Sequence, residues 1–142
     1  IAERFNAVLL RSDVIRRELF PARSYSKEES KRVYEEMLLR GKNALNEGKS
    51  VVWDAKFAKE SERGPFINLA ESLDIKYLII TVACDEKILE KRINARIGDE
   101  SEATFEIYLK SKGSFELPQE RNIIFDNSGP IENVDIFINS LA

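Results

Sequence analysis

The chain alternates between short apolar runs and longer segments in which apolar residues recur with helical spacing. The apolar runs have the length of β-strands and occupy residues 7–11, 50–54, 75–84 and 122–126. The other segments predict helices at about 13–20, 26–46, 59–73, 85–97 and 101–112, and a last one that begins at Pro130. Strands joined by helices pair in parallel through right-handed crossovers. The pattern therefore predicts one α/β domain, residues 1–142, in three layers with a mostly parallel sheet.

Local signals add detail to three of these elements. Ser26 and Glu29 have the spacing of a capping box, which predicts the start of the longest helix. Gly64 and Pro65 lie inside the next helical segment. We expect a break or a new first turn there, because proline lacks a backbone N–H group. The run at 75–84 is the most apolar, and we expect a central strand that is buried on both faces.

Composition excludes several classes of function. The net charge of −3 disfavours nucleic-acid binding, and no apolar run approaches the ~20 residues that span a membrane. The chain has no histidine and one cysteine, Cys84, which excludes Ser-His-Asp and Cys-His catalytic units and makes a zinc site unexpected. A carboxylate is therefore the leading base near neutral pH. The cysteine content also predicts a reducing environment, the cytoplasm.

An acidic residue stands at the carboxyl end of each predicted strand. These residues are Asp13, Asp54, Asp85 and Asp126. Ligands of open α/β sheets bind in the crevice outside the carboxyl ends of the strands. The sequence therefore predicts that a ligand site lies at this edge of the sheet.

Asp13 and Arg16 are the first candidates for chemistry at this edge. They are three residues apart at a predicted helix start, so they project towards the same side. In one interpretation Asp13 takes a proton from a hydroxyl group while Arg16 holds a nearby anion. In the other, Ser12 or Asp13 caps the helix and the arginines are solvated. Arg16 and Arg17 would then lie in the first turn, where the helix dipole disfavours cations.

Three further features allow a functional and a structural interpretation. Asp54 could order a metal-bound water or a substrate hydroxyl, or it could cap the next turn. Arg92 and Arg96 are four residues apart on one predicted helix and could clamp a transferring phosphoryl group, or form surface ion pairs. The loop at 126–130 could contact a nucleotide base, or be an ordinary turn. Phe57 is expected in the core or in the lining of a pocket.

Four segments, taken in chain order, resemble the P-loop kinases of the predicted-kinase group, which are small ATP-binding phosphotransferase domains. The segments are LLRSDVIRREL, YSKEESKRVYEEMLLRGKNALNEGKSVVWDAKF, ILEKRINAR and IIFDNSGP. They are also similar to the kinase domain of bacteriophage polynucleotide kinase and, more distantly, to gluconate kinase and zeta toxin. The resemblance covers nearly the whole chain. It implies a P-loop NTPase fold and transfer of the γ-phosphoryl group of ATP to a hydroxyl, with Mg²⁺ bridging the phosphates.

The resemblance assigns the acceptor side of the site to residues after the first two strands. Asp13 would be the general base, and Arg16 would hold a phosphate or another anionic part of the substrate. Asp54 would be a carboxylate on the substrate or Mg²⁺ side. Ser12 and Phe57 would contact the acceptor, which is a small molecule or a nucleotide whose identity stays open, as does the oligomeric state.

The resemblance assigns the nucleotide side to the second half of the chain. Arg92 and Arg96 would belong to a lid that folds over the ATP phosphates and offsets charge on the transferred group. The adenine would pack against a loop formed by Asn127, Ser128, Gly129 and Pro130. Similar domains are sometimes fused behind another domain, so a fused or upstream partner is expected.

One feature of these kinases is absent from the 142 residues. They open with a strand and a G-x-x-x-x-G-K-[ST] loop that cradles the phosphates, and no segment here matches it. The chain instead begins with IAERFN, which has the pattern of a helix end with Asn6 as its C-cap. Two alternatives to a kinase therefore remain open, a nucleotide-binding module without transfer and a nucleotide hydrolase.

We expect that the intact protein has about 20 or more residues before Ile1, enough for a strand, the loop and the start of a helix. The resemblance places that strand between those at 50–54 and 76–82. Without it, buried backbone groups would stay unpaired at about 1–3 kcal/mol each. Intact-mass measurement checks the expectation, and a mass equal to that of these 142 residues would refute it.

Overall fold

The computed structural model describes residues 1–22, 24–96, 104–119 and 121–141. These residues form four strands and six helices. The strands are β1 (Val8–Arg11), β2 (Val51–Asp54), β3 (Ile79–Ala83) and β4 (Asn122–Asp126). The helices are α1 (Ser12–Leu19), α2 (Lys27–Asn46), α3 (Glu60–Ser72), α4 (Glu86–Asn94), α5 (Phe105–Lys112) and α6 (Glu132–Ser140). No helix among the described residues is long and apolar enough to cross a bilayer.

The strands form two parallel pairs. β1 pairs with β2 in a register that places Arg11 opposite Asp54, and β3 pairs with β4 so that Ala83 lies opposite Asp126. The predicted α/β fold with parallel strands is therefore confirmed. Within the described residues β2 and β3 belong to different two-stranded sheets and do not pair with each other. These are the two strands between which the resemblance implies a further strand.

The core lies where α1, α2 and α3 pack on the first strand pair. Its buried members are Leu10, Ile15, Val33, Met37 and Phe66. Val33 and Met37 are fully buried on the apolar face of α2 that the helical spacing predicts. Burial of each such side chain contributes about 1.5–3 kcal/mol. This core fixes the positions of the carboxyl ends of β1 and β2.

Trp53 of β2 lies directly against the backbone of α2. Its indole Nε1 donates a hydrogen bond to the Met37 carbonyl oxygen at 3.1 Å, and its ring meets the Phe66 ring edge-on at 5.1 Å. A Cβ atom at position 41 would lie 2.3 Å from the indole, so only glycine fits there. Gly41 therefore allows the close approach of α2 to β2.

The structure explains why α1 carries two arginines although the helix dipole disfavours cations in a first turn. α1 has eight residues, so Arg16 and Arg17 lie in its last turn, where the helix dipole favours cations. The expectation of a first-turn position was wrong, because the helix is only about two turns long. The N-cap is Arg11, which makes no side-chain cap, so the interpretation of Ser12 or Asp13 as the cap is also wrong.

The longest helix, α2, begins at the predicted cap. The Ser26 side chain accepts a hydrogen bond from the Glu29 backbone N–H at 3.1 Å. The reciprocal half of the predicted capping box is replaced, because the Glu29 carboxylate accepts from Arg16, Ser24 and Tyr25. The Ser26 cap is therefore confirmed, whereas the Glu29 side chain makes tertiary contacts instead of the expected capping bond.

Two expectations about the middle of the chain were wrong. α3 continues through Pro65 without a break, because Phe66 and Ala70 bury its face against the core and outweigh the lost backbone bond. β3 is shorter than the run at 75–84 and is not buried on both faces, since Val82 is 62 % exposed. β4 is its hydrogen-bonded neighbour on one edge only, among the described strands.

Several predicted element ends shift in the structure. α4 ends at Asn94, so Arg92 and Arg96 do not share one helix as expected, because Arg96 lies beyond its C-cap. The side chain of Thr104 caps α5, and the predicted cap, Ser101, lies outside the described residues. α6 begins at Glu132 instead of Pro130, after the turn at 127–128.

The first residues form a helical turn that ends as predicted. Asn6 has a φ of +47°, and its N–H donates to the Glu3 carbonyl at 3.2 Å. The next N–H, of Ala7, donates to the Ala2 carbonyl at 2.8 Å. This pair of bonds is a Schellman motif, so Asn6 is a helix-terminating residue.

We predict that Gly41→Ala lowers the free energy of unfolding by about 1–3 kcal/mol, because the added methyl group would overlap an indole held by Met37 and Phe66. Gly113→Ala is the matched control. Gly113 has a φ of −69° and open space where a Cβ atom would lie, so its replacement should leave stability equal or slightly higher. Urea denaturation of both variants measures the difference, and equal stabilities would contradict the close approach.

Candidate functional site

Asp13 lies at the carboxyl end of β1, where the strand passes directly into α1. The strand ends at Arg11 in an extended conformation, and Ser12 is already the first helical residue. Asp13 is therefore in the first turn, where the helix dipole favours a carboxylate. Ser12 and Asp13 are both half-buried. The absence of a loop between strand and helix fixes the position of Asp13 at the sheet edge.

The side chain of Tyr34, on α2, contacts Phe57 and Phe66. Its hydroxyl accepts a hydrogen bond from the Phe57 N–H at 3.1 Å. Burial raises the pKa of Tyr34 to about 12. This net pKa includes a lowering by the hydrogen bond from Phe57 and by the charge of Arg16, and a smaller raising by the charges of Glu62 and Asp13. Tyr34 therefore keeps its proton at neutral pH and joins α2 to the segment before α3.

Phe57 is held in a strained backbone conformation next to this hydroxyl. Its φ of +43° is in the left-handed region, which non-glycine residues rarely adopt. Its N–H donates to Tyr34, and its carbonyl oxygen accepts from Arg63 Nη1 at 2.7 Å. Its ring meets those of Tyr34 and Phe66 edge-on at 5.3 and 4.9 Å. The predicted acceptor residue therefore forms part of a rigid aromatic wall.

Arg16, which was predicted to bind an anion, makes its contacts with other residues of the protein. It is 8 % exposed, and its Nη1 donates to Glu29 Oε1 at 2.9 Å. Its Nη2 donates to Ser30 Oγ at 3.3 Å, and its guanidinium lies 5.1 Å from the centre of the Tyr25 ring. Arg16 therefore joins α1 to the start of α2, and its charge is already balanced by Glu29.

Glu29 is the acceptor for a whole set of donors. Besides Arg16, its carboxylate accepts from Ser24 N, Ser24 Oγ and Tyr25 N at 2.8, 2.7 and 3.2 Å. Burial alone would raise the pKa of Glu29. The hydrogen bonds from Arg16 and Ser24 outweigh burial and lower the pKa to about 2. Glu29 is therefore ionised at all but very acidic pH, and it fixes the loop before α2.

Asp54 ends β2 and lies opposite Arg11 on β1. Its Oδ2 accepts from Arg11 Nε at 3.2 Å, and its side chain is 59 % exposed. No three His, Cys, Asp or Glu side chains are grouped to hold a metal ion among residues 1–22, 24–96, 104–119 and 121–141. Mg²⁺ commonly uses one or two carboxylates together with waters and substrate phosphates. Asp54 therefore fits a water-mediated Mg²⁺ that arrives with a nucleotide, and does not fit an all-protein metal cage.

Arg92 reaches from α4 to the loop after β4. Its Nη1 donates to the Asn127 carbonyl oxygen, and its Nη2 donates to the Gly129 carbonyl oxygen at 2.9 Å. The structure thus brings together Arg92 and the loop that the sequence assigned to the same ligand. Arg92 supports the backbone of this loop, whereas Arg96 is exposed and lies past the end of α4.

The loop after β4 is ordered by a chain of hydrogen bonds. The Ser128 hydroxyl donates to Asp126 Oδ1 at 2.5 Å and accepts from the Asp85 N–H at 2.7 Å. The hydrogen bonds from the Ser128 side chain and backbone lower the pKa of Asp126. A Cβ atom at Gly129 would lie 2.2 Å from Asn133 Nδ2, so a larger residue there would displace the end of the Asn133 side chain. Pro130 follows as an exposed residue.

The predicted residues thus fall into two groups at the carboxyl ends of the two strand pairs. In the first group, Asp13 and Arg16 lie on α1 directly after β1, Phe57 contacts Tyr34, and Asp54 ends the neighbouring strand. Arg92 and residues 127–130 form the second group. Tyr34 and Arg63 also take part in these contacts, and the sequence pattern does not mark either of them beyond a helical apolar face. Glu29 was recognised only as a capping residue.

Comparison with known proteins agrees with this architecture. Residues 1–118 match the AAA_33 family, described as an AAA domain. No curated protein matches the chain. A candidate kinase from Chloroflexus aurantiacus J-10-fl is similar at a TM-score of 0.69 and 16% identity, over 98% of this chain and 86% of that one.

Two further solved structures share the fold. A gluconokinase from Sinorhizobium meliloti 1021 has a TM-score of 0.60 and 16% identity, over 99% of this chain and 83% of its own. A sugar kinase from Janibacter sp. HTCC2649 has a TM-score of 0.67 and 12% identity, over 99% and 82%. At these identities the likeness concerns the fold. The similarity to phage polynucleotide kinase stays a prediction.

We predict that Glu29 makes the folded state sensitive to acid between pH 4.5 and pH 2. Because its pKa is lowered from 4.5 to about 2 on folding, its contribution is complete above pH 4.5 and is lost as pH falls towards 2. Urea denaturation across this range should show a steeper loss for the wild type than for Glu29→Gln. Glu28→Gln, at the exposed neighbouring position, should retain the wild-type slope. Equal slopes for all three proteins would contradict the lowered pKa.

Proposed function

Because the chain belongs to the AAA_33 family of P-loop NTPases and has a kinase-like fold, we propose that it is the kinase domain of an ATP-dependent phosphotransferase. The acceptor is a hydroxyl group of a small molecule or nucleotide. The observation that carries the proposal is the placement of Asp13. This carboxylate lies in the first turn of α1 directly after β1, is half-buried and is not used as a helix cap.

Asp13 is the proposed general base. As the acceptor oxygen bonds to phosphorus, the hydroxyl loses its proton, and the Asp13 carboxylate accepts it. Ser12, which precedes Asp13 in α1, and Phe57, which lies beside the Tyr34 hydroxyl, are proposed to form the acceptor wall. The left-handed Phe57 is held at both its N–H and its carbonyl group. A wall fixed in this way orients the acceptor without reorganisation during the reaction.

The nucleotide side of the proposal rests on Asp54, Arg92 and the loop at 127–130. Bound ATP with Mg²⁺ would supply the phosphoryl group and offset its charge. Asp54 would hold a metal-bound water through its exposed side chain, and Arg92 keeps the loop in shape to receive the adenine. Arg96 is proposed to face the phosphates. The 142 residues contain no G-x-x-x-x-G-K-[ST] loop, so the phosphate cradle itself is not among them.

A second candidate is a nucleotide-binding module that performs no transfer. The two candidates differ in whether Asp13 matters for turnover.

A small acceptor is proposed over a long nucleic acid because the net charge is −3. A cytoplasmic location is proposed because the chain has a single cysteine, Cys84.

We predict that Asp13→Asn abolishes phosphoryl transfer in the full-length protein, while ATP affinity stays within about threefold of the wild type. Loss of a general base typically costs about 10²–10⁴-fold in rate, and the side chain keeps its size. ADP release, measured with and without candidate acceptors, gives the rate, and calorimetry gives the affinity.

Asp135→Asn is the control for this prediction, because Asp135 is an exposed aspartate that also lies in the first turn of its helix. It should retain full activity. Near-normal turnover of Asp13→Asn would refute the assignment of the base. ADP release that is independent of every acceptor, in a folded wild type, would indicate a hydrolase.

A further inference from the structure

Residues 57–60, which lead from β2 into α3, bind a residue that is far away in the sequence. The Glu116 N–H donates to the Ala58 carbonyl oxygen at 2.7 Å, and Glu116 Oε2 accepts from the Glu60 N–H at 2.7 Å. Glu116 belongs to the segment between α5 and β4, 56 positions after Glu60. The second half of the chain therefore binds two backbone groups of the connection from β2 to α3.

The Glu116 carboxylate takes the place of a side-chain cap at the start of α3. Glu60 is the first residue of this helix, so its N–H has no partner within the helix. The N-cap is Lys59, whose side chain has donors and no acceptor. The carboxylate of Glu116 supplies the acceptor, and its negative charge is favoured at the positive end of the helix dipole. The contact therefore requires a side chain that can accept a hydrogen bond at position 116.

The same connection contains Phe57, the strained residue of the proposed acceptor wall. Its φ of +43° persists only where the surroundings over-determine the conformation. Tyr34 holds its N–H and the buried Arg63 holds its carbonyl group. The next residue, Ala58, is 4 % exposed, and its carbonyl group is held by Glu116. Because the backbone of Phe57 can rotate only if its neighbours move, the bonds of Glu116 restrict it from the C-terminal side.

We infer that Glu116 is a positioning residue of the proposed acceptor site, which fixes residues 58–60 and thereby keeps Phe57 in its left-handed conformation. The inference rests on the proposed function, because Phe57 matters for phosphoryl transfer only if it contacts the acceptor. It also extends the acceptor side to the segment after α5, in the half of the chain that the resemblance assigns to the nucleotide. Glu116 contacts no reacting atom in this proposal and acts through the backbone of residues 58–60.

The first test removes the acceptor atoms at position 116 of the full-length protein. Glu116→Ala should lower kcat/KM for the phosphoryl acceptor by about 10–100-fold, through a higher KM for that acceptor, and should leave KM for ATP unchanged. Glu116→Gln keeps an oxygen that can accept from the Glu60 N–H, so it should retain most of the activity. A purely structural role would lower the Tm of Glu116→Ala without separating the two KM values.

Glu106→Ala is the matched control, because Glu106 is an exposed glutamate in the first turn of α5. This variant should retain the wild-type constants. Wild-type constants in a folded Glu116→Ala would overturn the inference and leave the proposed kinase activity intact. An equal rise in KM for ATP and for the acceptor would also overturn it, since the effect would then not be confined to the acceptor wall.

Amide hydrogen exchange tests the inference without phosphoryl transfer. The Phe57 and Glu60 N–H groups donate to Tyr34 and Glu116, so both should be protected in the wild type. Both should exchange about fivefold or more faster in Glu116→Ala than in Glu106→Ala, which is the size of effect that loss of a helix cap produces.

The exchange result separates this inference from the proposed function. An unprotected Glu60 amide in the wild type, or an unchanged Phe57 amide in a folded Glu116→Ala, would overturn the inference. If circular dichroism shows that Glu116→Ala is unfolded, the wild-type exchange decides the question. Faster exchange in a protein that phosphorylates no acceptor would support the hold of Glu116 on Phe57 and refute only the proposed function.

Discussion

The buried ion pair between Arg16 and Glu29 fixes the way in which α1 meets α2, and Asp13 depends on that junction. Each partner also makes further contacts, Arg16 with Ser30 and the Tyr25 ring, and Glu29 with the loop before α2. A buried charge that lost its partner would be strongly unfavourable, so the two helices keep one arrangement. A second pair, Arg40 with Glu18, also links these helices, but it is more exposed and adds little.

Around this junction two residues have backbone conformations that are unfavourable without tertiary contacts. Tyr25 and Phe57 both have positive φ values, of 54° and 43°. Tyr25 is anchored through its N–H to Glu29, and Phe57 through its N–H to Tyr34 and its carbonyl to Arg63. Such strain persists where the surroundings over-determine the conformation, and it is commonly found at functional sites. The strained residues here flank the proposed acceptor position.

The second half of the chain is organised by hydrogen bonds more than by a buried core. Arg92 holds two carbonyl groups of the loop after β4, and Ser128 connects that loop to Asp126 and Asp85. Packing here includes the stacked rings of Phe125 and Phe137, 4.4 Å apart. The strands remain exposed, as Val82 shows. The nucleotide side of the proposed site thus depends on loop geometry, whereas the acceptor side depends on a packed core.

The order of strands and helices, the Ser26 cap, the Asn6 helix end and the aspartates at the strand ends were all determined by the sequence alone. These features depend on contacts between residues a few positions apart, or on a period that repeats along one element. The α/β fold with parallel strands followed from that order. The resemblance assigned Arg92 and the loop at 127–130 to one nucleotide, but it did not predict that Arg92 donates to the backbone of that loop.

Only the tertiary structure decided the roles of the individual side chains. Arg16 donates to Glu29, 13 positions away along the chain. The Phe57 N–H donates to Tyr34, 23 positions away, and Arg92 donates to Asn127, 35 positions away. The packing of the helices and loops determines these partners, so they cannot be predicted from the spacing of residues along the chain. The continuity of α3 through Pro65 and the exposure of β3 have the same origin. In α3, packing against the core outweighs the tendency of proline to end a helix. In β3, packing buries less of the strand than its apolar sequence predicts.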